Sequence, residues 1–478
     1  MMVEYGRTLR TTVTPIPGLL VVDLPVHGDN RGWFKENWQQ EKMTAAGLPD
    51  FGPVQNNVSF NDLTGTTRGI HAEPWDKLVS VATGRIFGAW VDLRDGETFG
   101  TTFTCELDAS RAVFVPRGVG NAYQTLEPDT AYTYLVNAHW SADAAYTFLN
   151  LDDPVVKIRW PVPLKNAEIS AKDATHPHLD EVVPVAPRKT LVLGADGQLG
   201  RALRAHWGTN PRIEYAARDD LDLTAATVGT ARRWQDYQTI VNAAAYTAVD
   251  DAETVEGRRE AWAVNVAAVN ELAHVAARHG ITLVHVSSDY VFDGRTSRPY
   301  REDDPVAPLG VYGQTKAAGD AVVRTVPHHY IVRTSWVIGD GANFVRTMRK
   351  LAEREVAPRV VADQIGRLTF THQLAEAIAH LLDAGAPFGT YNVTSSGEPR
   401  SWADIAREVF RLTGHDPTRI TDVTTAEYTD GSRIATAPRP SCSVLDLAKI
   451  ATTGFMPADG ARALADYLRT STELDGDR

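Results

Sequence analysis

Apolar and polar positions follow two different rhythms along the chain. Over the first 180 residues the apolar runs are short and close together. KLVSVATGRIFGAWVDLRD (77–95) reads as a strand, a Thr-Gly turn and a second strand. TTFTCELD, RAVFVP, NAYQTLE and AYTYLVNAHW follow at short spacing, broken by Asp, Pro and Gly. Closely spaced short strands of this kind predict an antiparallel sandwich or barrel. Trp33, Trp38, Trp75, Trp90, Trp140 and Trp160 all fall here, and their size predicts core or pocket-wall positions.

The rhythm changes after EVVPVAPRK (181–189), whose two prolines and weak periodicity mark a linker over 184–189. TLVLGA is a strand and GQLGRALRAHW a helix. RIEYAA and TIVNAAA are strands, and RREAWAVNVAAVNELAHVAARHG is one long Ala-rich helix capped by Gly280. TLVHVSS is a further buried strand. Strands alternating with helices predict a parallel, doubly wound α/β sheet of Rossmann type. Two domains are therefore expected, over 1–183 and 190–475, as a chain of 478 residues requires.

Bulk properties narrow the function classes. A hydrophobic fraction of 43% with 23% charged residues is that of a globular protein in water. The formal net charge of −12 and the lack of basic runs argue against nucleic-acid binding. No stretch is long and apolar enough to cross a membrane, and MMVEYGRTLR has no apolar signal core, so a cytoplasmic location is expected. Cys105 and Cys442 make no ligand pattern and read as reduced packing residues. HPH (176–178) and HH (328–329) read as loop residues, and no metal site is expected.

The second half carries redox chemistry. GADGQLG spaces Gly194, Gly197 and Gly200 between a strand and a helix, where a backbone can approach a pyrophosphate at a helix N-terminus. Gln198, Leu199, Ala243, Ala244 and Ala245 are the further candidates for that cofactor surface. In AARDD, Arg218 can pair with a 2′-phosphate and favours NADPH, with NADH the alternative that Asp219 and Asp220 keep open; Asp222 lies just beyond. VYGQTKAAGD sets Tyr312 and Lys316 on one helix face. An ammonium beside a phenol lowers the phenol's pKa, so Tyr312 can give its proton to a developing alkoxide. Ser288, at the end of the preceding strand, offers a hydroxyl to orient the carbonyl. That order resembles the short-chain dehydrogenases. VNAAAYTAVDDAE, SSDYVFDGRTSRPYREDDPVAPLGVYGQTKAAGD, RTSWVIGDGANFVRTM and VVADQIGRLTF resemble dTDP-4-dehydrorhamnose reductase more closely, over 189–470. The resemblance implies a Ser288–Tyr312–Lys316 triad, a small C-terminal substrate subdomain, and a sugar-nucleotide side with Asn343, Phe344, Asp363 and Gln364. Leu368-Thr369 stands where that family has Pro-Thr. The family can use Mg, but no ligand cluster in the sequence argues for it.

In the first half, TTRGIHAEPWDKLV gathers Arg68, His71 and Lys77, a cationic group that can hold a diphosphate and move a proton. DNRGWFKENW, VQNNVS, that stretch, VDLR, TFG and EISAKD together resemble dTDP-4-dehydrorhamnose 3,5-epimerase, a cupin-like jelly roll, over 15–178. The resemblance implies His71 as base, Asp173 as its orienting carboxylate, Tyr134 as the acid on the opposite face, and Lys77 on the enolate oxygen. It places Arg31 and Arg68 on the diphosphate, and Glu36, Gln55 and Asn57 around nucleotide and sugar. Asn121 replaces a pocket histidine of that family and Trp140 a pocket tyrosine, which leaves open whether one carbon or two is epimerised. The two resemblances imply one dTDP-linked 4-keto-6-deoxysugar passing through both reactions, and a homodimer formed through the first domain.

Overall fold

The computed structural model describes residues 5–141, 144–430 and 436–476. The first four residues of the stretch read for a signal core lie outside them. The chain divides into two compact units, 1–187 and 188–478.

The first unit holds two six-stranded sheets. One runs Arg10–Val13, Leu20–Asp23, Arg111–Val115, Lys77–Thr83, Thr130–Val136 and Gln55–Asn61 in spatial order, all antiparallel. The other runs Thr147–Phe148, Thr66–Ala72, Val119–Thr125, Ile86–Asp92 and Thr102–Leu107, with Glu168–Ile169 added in parallel beside Thr66–Ala72. Val79, Val81 and Val113 from the first sheet share a core with Ile86, Trp90 and Tyr123 from the second, so the sheets pack face to face. Central strand Lys77–Thr83 is buried over its first five residues. Edge strand Gln55–Asn61 alternates and leaves Val58 and Phe60 exposed. Trp75 and Trp90 are buried as expected, but Trp33 and Trp140 are exposed. Trp33 sits on the two-stranded ribbon Val26–Asp29/Gly32–Lys35, outside both six-stranded sheets, and Trp140 lies in the loop four residues beyond strand Thr130–Val136.

The expected linker is pinned at both ends. Val185 donates to the Leu93 carbonyl and accepts from Asp95 N–H, while Lys189 already opens the first strand of the second unit.

That unit is built on one six-stranded parallel sheet, ordered Ile213–Ala216, Lys189–Leu193, Tyr237–Asn242, Thr282–Ser288, His329–Thr334 and Gly389–Asn392. Leu191 and Leu193 join the core on one face and Val192 the core on the other, as two covered faces require. The strand order reverses at Lys189–Leu193, which opens a crevice at the carboxyl ends of the strands. A third core, including Val345, Phe370, Phe410 and Leu464, joins helices Phe344–Glu353 and Trp402–Leu412 to the helix that begins at Gly460.

The long Ala-rich helix is interrupted. Val255–Trp262 and Ala268–His279 are α-helical, and Ala263–Ala267 between them is a π turn. The cause is Asn265: its side chain accepts from Tyr246 N–H (2.9 Å) and donates to Thr315 Oγ1 (3.0 Å), polar pairing that periodicity does not reveal. Gly280 ends the second segment in the left-handed region, φ +60°, as read from the sequence. Among the described residues no helix is long and apolar enough to cross a membrane.

Candidate active sites

In the second unit a cavity of about 520 Å³ lies at the crevice. Gly197, Gln198 and Leu199 line one part of it, Ala243 and Ala245 another, and Ser288, Tyr312 and Lys316 a third. The glycine turn has no room for side chains. Gly194 lies at φ +74°, and a Cβ on it would be 2.7 Å from Ala244 N. A Cβ on Gly200 would fall 2.3 Å from the Gly194 carbonyl oxygen. Helix Gln198–Trp207 starts directly behind this turn, so free N–H groups face the crevice. These features fit a dinucleotide. Arg218 is exposed in the turn after strand Ile213–Ala216, and Asp222 is held by Thr224 (N–H at 2.9 Å, Oγ1 at 2.7 Å).

Strand Thr282–Ser288 delivers Ser288, and helix Val311–Val323 delivers Tyr312 and Lys316. The Ser288 and Tyr312 hydroxyls line the same part of the cavity, near enough for Ser288 to act on the Tyr312 phenol. The Tyr312 phenol is not lowered as expected. Burial raises it, and the Ser288 hydroxyl only partly opposes that. The reason is the lysine's orientation: Lys316 Nζ donates to the Val286 carbonyl (2.7 Å) and lies 3.4 Å from His285 Nε2. Burial pulls Lys316 down to about 8, against the charge of Asp320. Tyr312 is thus a protonated phenol at neutral pH.

Of the residues expected on the sugar-nucleotide side, three are taken up by helix ends. Asn343 caps helix Phe344–Glu353, accepting from Arg346 N–H (3.0 Å) and donating to Gly339 O (2.8 Å) and Tyr467 Oη (2.9 Å). Asp363 accepts from Thr425 N–H (2.9 Å) and Oγ1 (2.6 Å), and Gln364 Nε2 donates to the same Oγ1 (3.0 Å). Phe344 packs on Trp402 (4.5 Å between centroids), which lines the cavity. Trp402 stacks on Trp336 at 3.7 Å, and Trp336 holds φ +46°. Both tryptophans line the cavity and were not singled out from sequence. Leu368-Thr369 is buried there, with Thr369 N–H donating to the Trp336 carbonyl (3.2 Å).

In the first unit, strand Thr66–Ala72 carries His71, whose Nε2 lies 3.0 Å from Asp173 Oδ1. Gly69 N–H donates to Asp173 Oδ2 (3.2 Å), which fixes the carboxylate. Burial raises Asp173, but hydrogen bonding and charge from His71, with Gly69 N–H and His176, outweigh it and hold it below the usual range. That leaves His71 Nδ1 as the nitrogen free to take a proton. His176 lies in a loop, as read from the sequence, and that loop buries it, edge-on to His71 (5.3 Å) and stacked on Phe148 (4.7 Å), with Nε2 3.8 Å from Asp173 Oδ1. His71, Asp173 and His176 are the one group of three potential metal-ligand side chains among the described residues.

Tyr134, on strand Thr130–Val136, is half-buried, with Lys77 Nζ 5.8 Å from its ring centroid. Lys77 is buried in an ion pair with Glu73, a residue sequence reading passed over although it lies two positions after His71. Burial, and then the Glu73 charge, raise the Tyr134 phenol and keep it protonated. Asn121 lies opposite His71 across the paired strands and accepts from Tyr132 Oη (3.3 Å). Gln55 Nε2 donates to Asn57 Oδ1 (2.8 Å), and Trp140 N–H donates to Gln55 Oε1 (3.1 Å), so these three form one group. Arg68 Nε donates to Asn61 (3.1 Å). Arg31 and Glu36 are not gathered with them: each is exposed and paired locally, with Asp29 (2.5 Å) and Lys42 (2.7 Å).

Comparison with known proteins follows this division. The family model for dTDP-4-dehydrorhamnose 3,5-epimerase matches residues 13–181, and the model for the RmlD substrate binding domain matches 188–472. The RmlC homolog of Streptococcus pyogenes serotype M6 is 51% identical over 183 residues, 37% of this chain and 92% of that protein. The chain belongs to both families, joined end to end. On the reductase side, dTDP-4-dehydrorhamnose reductase of Aggregatibacter actinomycetemcomitans is 40% identical, covering 58% of this chain and 97% of that protein. The solved dTDP-4-dehydrorhamnose reductase of Bacillus anthracis, in complex with NADP, is 31% identical with a TM-score of 0.54, over 60% of this chain and 99% of that one. Its counterpart from Clostridium acetobutylicum is 35% identical with a TM-score of 0.55, over 59% and 99%.

Proposed function

We propose that the chain is a bifunctional enzyme that epimerises dTDP-4-dehydro-6-deoxy-D-glucose at C3″ and C5″ and then reduces C4″ with NADPH, giving dTDP-L-rhamnose. The observation that carries this is a His71–Asp173 pair and a cavity lined by Ser288, Tyr312 and Lys316 on one chain, each inside the matching family region. The first unit is read as a cupin-like jelly roll of 1–183, and the second as a Rossmann-type domain with a small C-terminal substrate subdomain.

The 4-keto group makes the flanking C–H bonds acidic by delocalising charge onto its oxygen. His71 Nδ1 takes a proton while Asp173 stabilises the imidazolium. Lys77 faces the enolate oxygen, and Tyr134, held protonated, returns a proton from the other face. In the second unit a bound NADPH supplies the hydride. Tyr312 donates the proton that completes the alcohol, Ser288 orients the carbonyl, and Lys316 holds the nicotinamide ribose. Arg218 supports the preference for a 2′-phosphate. The exposed Val58 and Phe60 on an edge strand support a homodimer through the first unit, and the cytoplasm is the expected compartment.

The test is turnover of the keto-sugar nucleotide in heavy water with NADPH. Two deuterons per product and one NADPH consumed are expected; one deuteron would mean a single-carbon epimerase. His71→Ala abolishes deuterium incorporation while leaving pre-epimerised substrate reducible, and Tyr312→Phe does the reverse. A folded variant that loses both activities refutes this division of labour.

A further inference from the structure

The Ser288 hydroxyl has one proton and two lone pairs to distribute. Its Oγ accepts from Tyr290 N–H (3.2 Å), lies 3.0 Å from Asp289 Oδ1, and faces the Tyr312 hydroxyl across the cavity wall. An ionised Asp289 is only an acceptor, so it binds the Ser288 proton, and no proton remains for a carbonyl in the cavity. A neutral Asp289 donates to Ser288 Oγ instead. Tyr290 N–H and Asp289 then fill both lone pairs, and the Ser288 O–H is released toward Tyr312 and the cavity. The strand end thus has two hydrogen-bond arrangements, of which one presents a donor to a substrate carbonyl.

We propose that Asp289 is a positioning residue whose carboxyl proton directs the Ser288 hydroxyl into the active site. This rests on the reductase reading above. Asp289 is 2% exposed and also lines the cavity. Among the described residues no cation pairs with it. The groups around it are Ser288 and Tyr290 from its own turn, Tyr312 from helix Val311–Val323, and Ser443. Arg439, the nearby cation, is committed to Asp250 (2.8 Å) and Tyr290. Burial carries the Asp289 carboxyl up to about 7, with Ser443, Ser288 and the neighbouring backbone N–H groups opposing it, and its Oδ2 is buried without a hydrogen-bond partner among the described residues. The neutral form is therefore populated up to about pH 7, and the carboxylate takes over above it.

The experiment is the pH profile of kcat/KM for reduction of pre-epimerised sugar nucleotide with NADPH, for the unaltered chain, Asp289→Asn and Ser288→Ala. Asparagine keeps a donor for Ser288 Oγ but cannot ionise. Between pH 6 and pH 8 the unaltered chain is expected to fall about twentyfold, roughly tenfold because a group at about 7 keeps about one-tenth of its protons one unit higher, and a further twofold or so from Lys316 at about 8. Asp289→Asn falls by no more than about twofold, the share due to Lys316 at about 8. Ser288→Ala is slower throughout and equally flat, because the hydroxyl being directed is gone. Parallel falls in the unaltered chain and Asp289→Asn overturn the proposal, as does a steep fall that persists in Ser288→Ala. An unaltered chain that oxidises no NADPH takes down the reductase reading and this inference together.

Discussion

The buried pair joining helix Val311–Val323 to strand His329–Thr334 offers a stability test with a defined size. Arg333 Nε donates to Asp320 Oδ2 at 3.1 Å, and the two side chains are 0% and 1% exposed. Arg333 also donates to the Glu302 carbonyl (3.1 Å) and lies 5.1 Å from the Phe292 ring centroid. Asp320 Oδ1 and Arg333 Nη2 are buried without further partners among the described residues. Removing one member of such a pair leaves a charge uncompensated in a low-dielectric site, at about 3–5 kcal/mol. Asp320→Asn retains an acceptor, so the lower figure applies. At roughly 2–4 °C per kcal/mol for a large domain, its unfolding transition moves down by about 6–12 °C. Differential scanning calorimetry of the full chain at pH 7 reads this shift. The double variant Asp320→Leu/Arg333→Met should recover most of the loss, because neither charge then has to be desolvated. A transition for Asp320→Asn within a degree of the unaltered chain would refute the reasoning, and would mean that the Glu302 carbonyl and the Phe292 ring satisfy Arg333 alone.

Two further substitutions separate cofactor binding and charge burial from folding. Gly200→Ala puts a Cβ 2.3 Å from the Gly194 carbonyl oxygen, a backbone atom that cannot swing aside. NADPH affinity measured by fluorescence titration should weaken by roughly ten- to a hundredfold, the equivalent of about 1–3 kcal/mol of overpacking, with deuterium exchange in the first unit unaffected. Lys316 has an ordinary value of 10.5 and a folded value of about 8, so at pH 7 the folded state keeps a charge that the unfolded chain leaves in water. That penalty, on the order of 3 kcal/mol, is present below about 8 and relieved as pH rises toward 10.5. Lys316→Met should therefore raise the melting temperature at pH 7 and lose hydride transfer; equal or lower stability would show that the ammonium's bond to Val286 O offsets its burial.

What the sequence made legible follows from which signals are local. Strand and helix positions, the Gly280 cap and the Gly194 turn rest on spacing and backbone sterics, and these survive folding unchanged. The Ser288, Tyr312 and Lys316 set could be found because a strand end and a helix face bring its members to one cavity. The π turn at Ala263–Ala267 was not visible, because Asn265 meets partners 19 and 50 residues away. Asn343 and Asp363 illustrate the converse: polar residues in a recognisable motif are spent on the ends of helices Phe344–Glu353 and Thr425–Thr429. The burial of His176 escaped because nothing local distinguishes a loop histidine before a proline from one that folds back onto His71. Glu73 and Asp289 sat inside stretches already singled out, yet their significance lies in burial and in the partner they face.

Both proposed reactions act on the same 4-keto group, and both ask a tyrosine to hold a proton until charge develops. The chain meets that requirement twice by burial. Tyr134 and Tyr312 are each raised chiefly by desolvation, and a neighbouring carboxylate pushes each further up, Glu73 in one case and Asp289 in the other. The lysines then diverge. Lys77 is neutralised by Glu73, so a substrate oxygen must compete with a carboxylate for it, and the attraction grows only as the enolate becomes a full anion. Among the described residues Lys316 has no carboxylate in contact. It rests on a backbone carbonyl at about 8, ready to turn toward a ribose hydroxyl without breaking an ion pair. An epimerase must not stabilise the ground-state ketone as strongly as the enolate, whereas a reductase needs a movable donor. The different partners of the two lysines suit those two demands.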